Sequence, residues 1–230
     1  MSKTSRQRGF TLIEIAIVLV IIGLLLGGVL KGQELITSAR VRNLISQQDG
    51  IKAAYYGFQD RYRALPGDYA AAASNLGGGG TITAGNGNGQ IDDASTVESI
   101  LAWDHLTRAG FLNGSYAYAT TMTDTSTPKN PYGRHIQIVY DANYGTGTPA
   151  ARHNLKTGNQ VPVEIMAEVD RKTDDGNPYT GSFMFSTWAS GGTALTASTC
   201  ATAAVVGPPA VPAAWNITAG TTDCGGATLL

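Results

Sequence analysis

Charge is scarce in this chain. Only 14% of its 230 residues are Asp, Glu, Lys or Arg, and nowhere are the basic ones gathered into a stripe. The electrostatic footprint of a nucleic-acid-binding surface is therefore missing, and no nucleic-acid partner is expected. Histidine is equally sparse. His105, His135 and His153 are the full set, and none has metal-ligand spacing with another histidine or with a cysteine. The chain also lacks a G-x-S-x-G nucleophile elbow and a G-x-x-x-x-G-K-[ST] phosphate loop. These absences point away from an enzyme, and no catalytic residue or cofactor is assigned. With two cysteines, 29 glycines and abundant small residues, the composition suits a loop-rich extracytoplasmic domain better than a cytosolic catalyst.

What the chain does have is one long apolar run. Phe10 to Leu30 is 21 residues with a single charged side chain, Glu14. As a helix it would span about 30 Å, enough to cross a hydrocarbon core. A carboxylate there costs roughly 2.5–3.5 kcal/mol on insertion scales, so an ionisable residue in such a segment marks a functional site that needs a partner. A secretory signal peptide would end in an A-x-A-like cleavage site, and none follows. A plain signal anchor would leave Glu14 unexplained. Lys3, Arg6 and Arg8 precede the run, but Lys31, Arg40 and Arg42 follow closely, so charge counting sets no orientation.

The string Gly9-Phe10-Thr11-Leu12-Ile13-Glu14 behind that short basic leader closely resembles the processing site of type IV prepilins and type II secretion pseudopilins. The resemblance implies a prepilin peptidase that cuts between Gly9 and Phe10, removes residues 1–9 and N-methylates Phe10. It also implies that Glu14 pairs with the Phe10 amine of a neighbouring copy during assembly, and it places the leader in the cytoplasm. Without Lys3, Arg6 and Arg8 the net charge falls from −1 to about −4.

Beyond the apolar run, Val41, Leu44, Gln48, Ile51, Tyr55, Phe58 and Tyr62 step by three and four residues and mark one helical face. Pro66-Gly67 stops the pattern. One helix over 10–64, on the order of 80 Å long, is expected, with an apolar membrane-spanning part at 10–30 and an amphipathic second half. Gly23, Gly27, Gly28 and Gly32 suit close helix packing or local unwinding, and equally are ordinary membrane-helix glycines.

Ser95-Thr-Val-Glu98 has capping-box spacing and Gly110 the place of a C-terminal glycine, which predicts a second helix. His105 falls on its apolar face as a hydrogen-bonded packing residue. His135–Tyr140, Val161–Val169 and Ser182–Trp188 read as strands between turn-rich segments. Residues 189–230 have weak periodicity and are expected to be loop. Cys200 and Cys224 are expected to form a disulfide in an oxidising compartment, closing a loop of about 25 residues worth roughly 3–4 kcal/mol.

Two acidic or amide-rich segments invite a metal reading. In an EF-hand register, Asn86, Asn88 and Gly89 take positions three, five and six and Ile91 position eight. Ala84 and Ser95 then occupy the two anchoring positions where carboxylates belong. Tight Asn-Gly turns explain the loop as well, although Asp92 and Asp93 leave room for a different cation geometry. Asp170, Asp174 and Asp175 flank Asp-Gly-Asn-Pro, turn chemistry expected at a solvated hairpin tip between two strands. Secretion pseudopilins carry a structural calcium ion in a sheet-edge loop, but no ligand set maps onto this sequence residue by residue, and no metal site is assigned. The acidic segment Glu168–Pro178, Leu65-Pro-Gly-Asp68 and Ala102–Gly110 are similar to a pilin-like subgroup, without implying an activity.

These readings combine into an α+β, pilin-like expectation: leader 1–9, helix 10–64, and an extracytoplasmic domain 65–230 carrying a small antiparallel sheet. The implied function is a structural subunit of a type IV pilus or type II secretion pseudopilus, held as a single-pass protein in the inner membrane before assembly. Its partners would be prepilin peptidase, other pilin copies and the inner-membrane assembly machinery. A minor or tip subunit whose domain binds a surface, DNA or a secreted substrate is the alternative.

Overall fold

Helix α1 runs Leu12–Tyr62 in a computed structural model that describes residues 11–77, 81–94, 96–191, 196–205 and 210–230. The chain divides into two units, 1–39 and 40–230. Within the first, none of the described residues is buried. By length and composition α1 is able to cross a membrane. Residues 1–10, including the leader, Gly9 and Phe10, lie outside the described residues.

The second unit opens on the amphipathic part of α1. Val41, Leu44, Gln48, Ile51, Ala54, Tyr55 and Phe58 are buried, the stripe that the spacing of three and four predicts. The stripe serves two cores. Val41 and Leu44 join a cluster with Val163, Met166, Phe183, Phe185 and Trp215. Ile51, Tyr55 and Phe58 join Trp103, Leu106, Ile136, Ile138 and Leu155. Between them, Gln48 Oε1 accepts a hydrogen bond from Thr228 Oγ1 at 3.2 Å. The helix ends two residues before the expected Ala64, where Arg63 turns into the left-handed region ahead of Pro66.

After α2 (Ala72–Asn75) comes α3 (Glu98–Arg108), followed by β1 (Gln137–Asp141) and β2 (Arg152–Lys156). Next are α4 (Val163–Thr173), β3 (Phe183–Phe185), α5 (Ala197–Cys200), β4 (Ala201–Thr202), β5 (Ala214–Trp215) and β6 (Gly226–Leu229). The main sheet has the order β1-β2-β6-β3, with every neighbouring pair antiparallel. Its register aligns Ile138, Leu155, Thr228 and Phe183 across all four strands. Because side chains alternate along a strand, this row shares one face, the face that meets Gln48 of α1 through Thr228. The fold is α+β, a long apolar-headed helix packed through its second half on a small antiparallel sheet, as expected.

Further details differ from the sequence reading, among them β2, which it did not mark. Val161–Val169 is not a strand: residues 163–173 form α4. Its apolar residues satisfy period two, but Val163, Met166, Ala167 and Asp170 are buried at helical spacing. Pro162 sits just before the first turn, where its missing N–H costs nothing. Residues 189–230 are not only loop, because β6 lies in the middle of the sheet. A Cβ at Gly226 would collide with the Phe183 ring, so the strand is built of small residues that carry no hydrophobic period. Finally, α3 begins at Glu98 with no side-chain cap from Val97. The Ser95 expected to cap it lies outside the described residues, while Gly110 takes the left-handed conformation (φ 78°) expected at the helix end.

Candidate functional site

Glu14 stands in the first turn of α1, and its carboxylate faces its own chain. Glu14 Oε2 accepts hydrogen bonds from Thr11 N and Thr11 Oγ1, both at 2.8 Å. Thr11 Oγ1 in turn accepts from Glu14 N at 3.4 Å. This is a reciprocal capping box, which satisfies helix-end donors that otherwise lack partners. The Thr-x-x-Glu pattern was visible in the sequence. Around Glu14 the helix surface is apolar, with Leu12, Ile13, Ile15, Ile17 and Val18 all exposed. From 11 to 30 no other side chain carries charge. The expected cleavage and methylation residues, Gly9 and Phe10, lie outside the described residues.

The Asn-Gly loop at 85–93 is held by groups from distant parts of the chain. Asp68 accepts from Asn88 N and Gly89 N through its two carboxylate oxygens, at 2.9 and 2.8 Å. Glu98 accepts from Asn86 N at 2.9 Å and Asp92 N at 3.2 Å. Burial pushes the Glu98 carboxyl up from its ordinary pKa, with the charges of Asp68 and Asp92 adding to the rise. His105 is fully buried; its Nδ1 accepts from Gly67 N at 3.0 Å while Nε2 faces Thr83 O at 2.9 Å. The Gly67 N–H requires a free lone pair at Nδ1, so the proton belongs on Nε2. His153 Nε2 accepts from Ile91 N at 3.2 Å. Burial lowers the pKa of both histidines. Gly67 runs so close to α3 that a Cβ there would strike Glu98 O.

In this cradle the acidic oxygens are turned onto amide donors. Asp92 accepts from Ala94 N and Asn88 Nδ2, and Asp93 accepts from Ser99 N and Oγ. The arrangement is a backbone-binding network of carboxylates, and its chemistry is structural. No single stretch of sequence spells out the cradle, since Asp68, the α3 residues Glu98 and His105, and His153 come from three separate segments. The available signal was the placement of a histidine and an acid within the apolar face of α3.

Asp170, Asp174 and Asp175 each bring an oxygen within 4.8 Å of the others, close enough for a cation to bridge them. They occupy the end of α4 and the turn after it, not a strand hairpin. Asp170 is fully buried and accepts from Trp215 Nε1 at 2.6 Å and Gly176 N at 3.2 Å. Burial, with Asp175 and Asp174 nearby, raises its pKa to about 6. Asp174 accepts from Ser182 N and Phe183 N. Asp175 accepts from Asn177 N and Thr180 Oγ1. All three carboxylates thus already organise the turn that leads into β3.

Cys200 and Cys224 are joined, with Cα atoms 5.7 Å apart. Cys224 also exchanges backbone hydrogen bonds with Val161 at 2.9 and 3.1 Å, so the bond ties the small β4–β5 ladder to the segment entering α4. On the opposite face of the sheet, the buried Lys156 amine reaches Asp141 Oδ2 at 2.6 Å, and Asn154 Nδ2 donates to Asp141 Oδ1 at 2.9 Å. Burial lowers the Lys156 pKa against the opposing pull of Asp141.

Residues 4–30 match a family model described as the prokaryotic N-terminal methylation motif, the signature of type IV pilins and pseudopilins. No curated protein and no solved structure matches the chain. The motif supports a pilin-like or pseudopilin precursor, and the apolar start of α1 fits a membrane-anchored one.

Proposed function

We propose that the chain is the precursor of a structural subunit of a type IV pilus or type II secretion pseudopilus. Prepilin peptidase cuts between Gly9 and Phe10 and methylates the new Phe10 amine. Residues 10–30 hold the subunit in the inner membrane, the helix that continues to Tyr62 is the assembly helix, and 65–230 fold on the extracytoplasmic side. The observation that carries this reading is the methylation motif at 4–30 leading directly into a helix whose uncovered apolar surface bears one charge, Glu14.

During assembly the apolar helices of neighbouring copies pack together, and Glu14 exchanges its Thr11 contacts for the Phe10 amine of an adjacent subunit. A low-dielectric surrounding strengthens that pair, while desolvation of both charges offsets much of the gain. The pair therefore sets register, and apolar and close helix packing supplies the cohesion. Intact-mass and N-terminal analysis of protein made with the peptidase present should find chains beginning at N-methylated Phe10. Chains beginning only at Met1 or Ser2 would refute the reading.

A further inference from the structure

The sequence holds three Asn-Gly pairs, Asn86-Gly87, Asn88-Gly89 and Asn113-Gly114, and we propose that only Asn113 is a site of spontaneous deamidation in the folded protein. In this reaction the Gly main-chain nitrogen attacks the Asn Cγ. A new N–Cγ bond forms, the Cγ–Nδ2 bond breaks and ammonia leaves, the Gly proton passing to solvent and ammonia taking one from it. Water then opens the five-membered imide at either carbonyl, leaving Asp or its β-linked isomer. The absence of a Cβ on the following residue removes the steric obstacle to attack, which is why Asn-Gly is the susceptible pair.

Exposure does not separate the three sites, because Asn86, Asn88 and Asn113 are all exposed. Their hydrogen bonds do. The attacking nitrogen of Gly87 donates to Asp68 O at 3.0 Å, and that of Gly89 donates to Asp68 Oδ2 at 2.8 Å. The electrophilic amides are held too. Asn86 Oδ1 accepts from Asn88 N, while Asn88 Oδ1 accepts from Gln90 N and its Nδ2 donates to Asp92. A buried Asp68, only 5% exposed, thus holds both nucleophilic nitrogens in hydrogen bonds that attack would have to break. Among the described residues, neither Asn113 nor Gly114 makes a hydrogen bond, so nucleophile and amide are both free to rotate into line.

The product places a negative charge, and in the isomerised form an extra main-chain methylene, in the turn after α3. That turn carries Phe111, whose ring lies against Gly57 of α1.

The test is to incubate the full chain in detergent at mildly alkaline pH, folded and in parallel unfolded in urea, and to map peptides by mass and isoaspartate content. In the folded chain, conversion at Asn113 should exceed that at Asn86 and Asn88 by on the order of a hundredfold, since the locked pairs react only through local opening. In urea the three should converge to within a few-fold. Equal rates at all three sites in the folded chain would overturn the proposal, as would a bias toward Asn113 that persists unchanged in urea.

Discussion

Thr11 and Glu14 cap each other at the start of α1, each side chain accepting a hydrogen bond from the other's backbone N–H. Glu14 therefore has two possible contributions to the protein, a local one through helix capping and an intermolecular one through its charge. A capping interaction is worth about 1 kcal/mol, whereas leaving one member of a buried ion pair without its partner costs about 3–5 kcal/mol.

Two substitutions separate them. Glu14→Gln keeps the Thr-x-x-Gln form of the capping box and removes the charge; Glu14→Ala removes both. Neither should impair membrane insertion, since an intramembrane charge is lost in each case. Both variants should be processed yet strongly depleted from filaments, measured by fractionation and blots of sheared filaments. Wild-type incorporation of Glu14→Gln would show that capping suffices, and the charge-pairing mechanism would fail.

How much of this was legible in the sequence depended on whether one period stood alone. The α1 stripe was readable because Val41, Leu44, Ile51, Tyr55 and Phe58 fit helical spacing and no other. Val161–Val169 satisfied both periods, so only the burial of Met166 and Asp170, which fall off the period-two face, reveals a helix. Gly226-Ala227-Thr228-Leu229 had no period because Phe183 leaves no space for side-chain volume at Gly226. At the N-terminus, the spacing of Gly9, Phe10 and Glu14 anticipates the methylation motif, and the same stretch carries in Thr11-x-x-Glu14 the spacing of a capping box. The cradle of Asp68, Glu98, His105 and His153 depends on tertiary folding, and its one local sign is a histidine and an acid within the apolar face of α3.

Acid should loosen that cradle. Both His105 and His153 accept backbone N–H bonds that protonation would abolish, and burial holds both pKa values below the ordinary 6.5. The unfolded chain then binds more protons than the folded one below about pH 6.5. Their contribution is complete above that pH and is lost as pH falls through it toward the folded values. Asp104 opposes the shift at His105 and Arg108 reinforces it. His105→Gln, whose amide can accept from Gly67 N and donate to Thr83 O, should be less stable at neutral pH through lost packing on Phe58. It should also show a shallower loss between pH 7 and 5 than wild type, by urea unfolding followed by tyrosine and tryptophan fluorescence, because the substitution removes the proton difference that His105 contributes to the linkage slope. An unchanged slope would mean that His105 titrates alike in the folded and unfolded chains, its hydrogen bond to Thr83 O and the charge of Asp104 offsetting the effect of burial.

Gly226→Ala tests the close approach within the sheet. The added methyl meets the ring of Phe183, which is itself nearly fully buried and cannot swing into solvent. Overpacking of this kind typically costs about 1–3 kcal/mol. A double variant with Phe183→Leu should recover part of that loss, whereas Gly226→Ala at an open site would be neutral or slightly stabilising. Thermal unfolding of the single and double variants distinguishes these outcomes.

Asp170 should make a pH-dependent contribution of opposite sign to the histidines. Its folded pKa is raised from 3.8 to about 6, so the folded state binds the extra proton between those values, and stability falls as pH rises through them. The full penalty above pH 6 is at most about 3 kcal/mol, from 1.36 kcal/mol per unit. Asp170→Asn removes that penalty, but an amide has a single oxygen to offer where Trp215 Nε1 and Gly176 N each use one carboxylate oxygen. Leaving one buried donor without an acceptor costs about 1–3 kcal/mol. At pH 4 the variant should therefore be clearly less stable than wild type, and by pH 7 the difference should shrink to near zero or reverse. Paired urea titrations of the two proteins at both pH values measure this directly. A constant difference across that range would mean that the Asp170 carboxyl titrates alike in the folded and unfolded chains, with Trp215 and Gly176 offsetting the whole effect of burial.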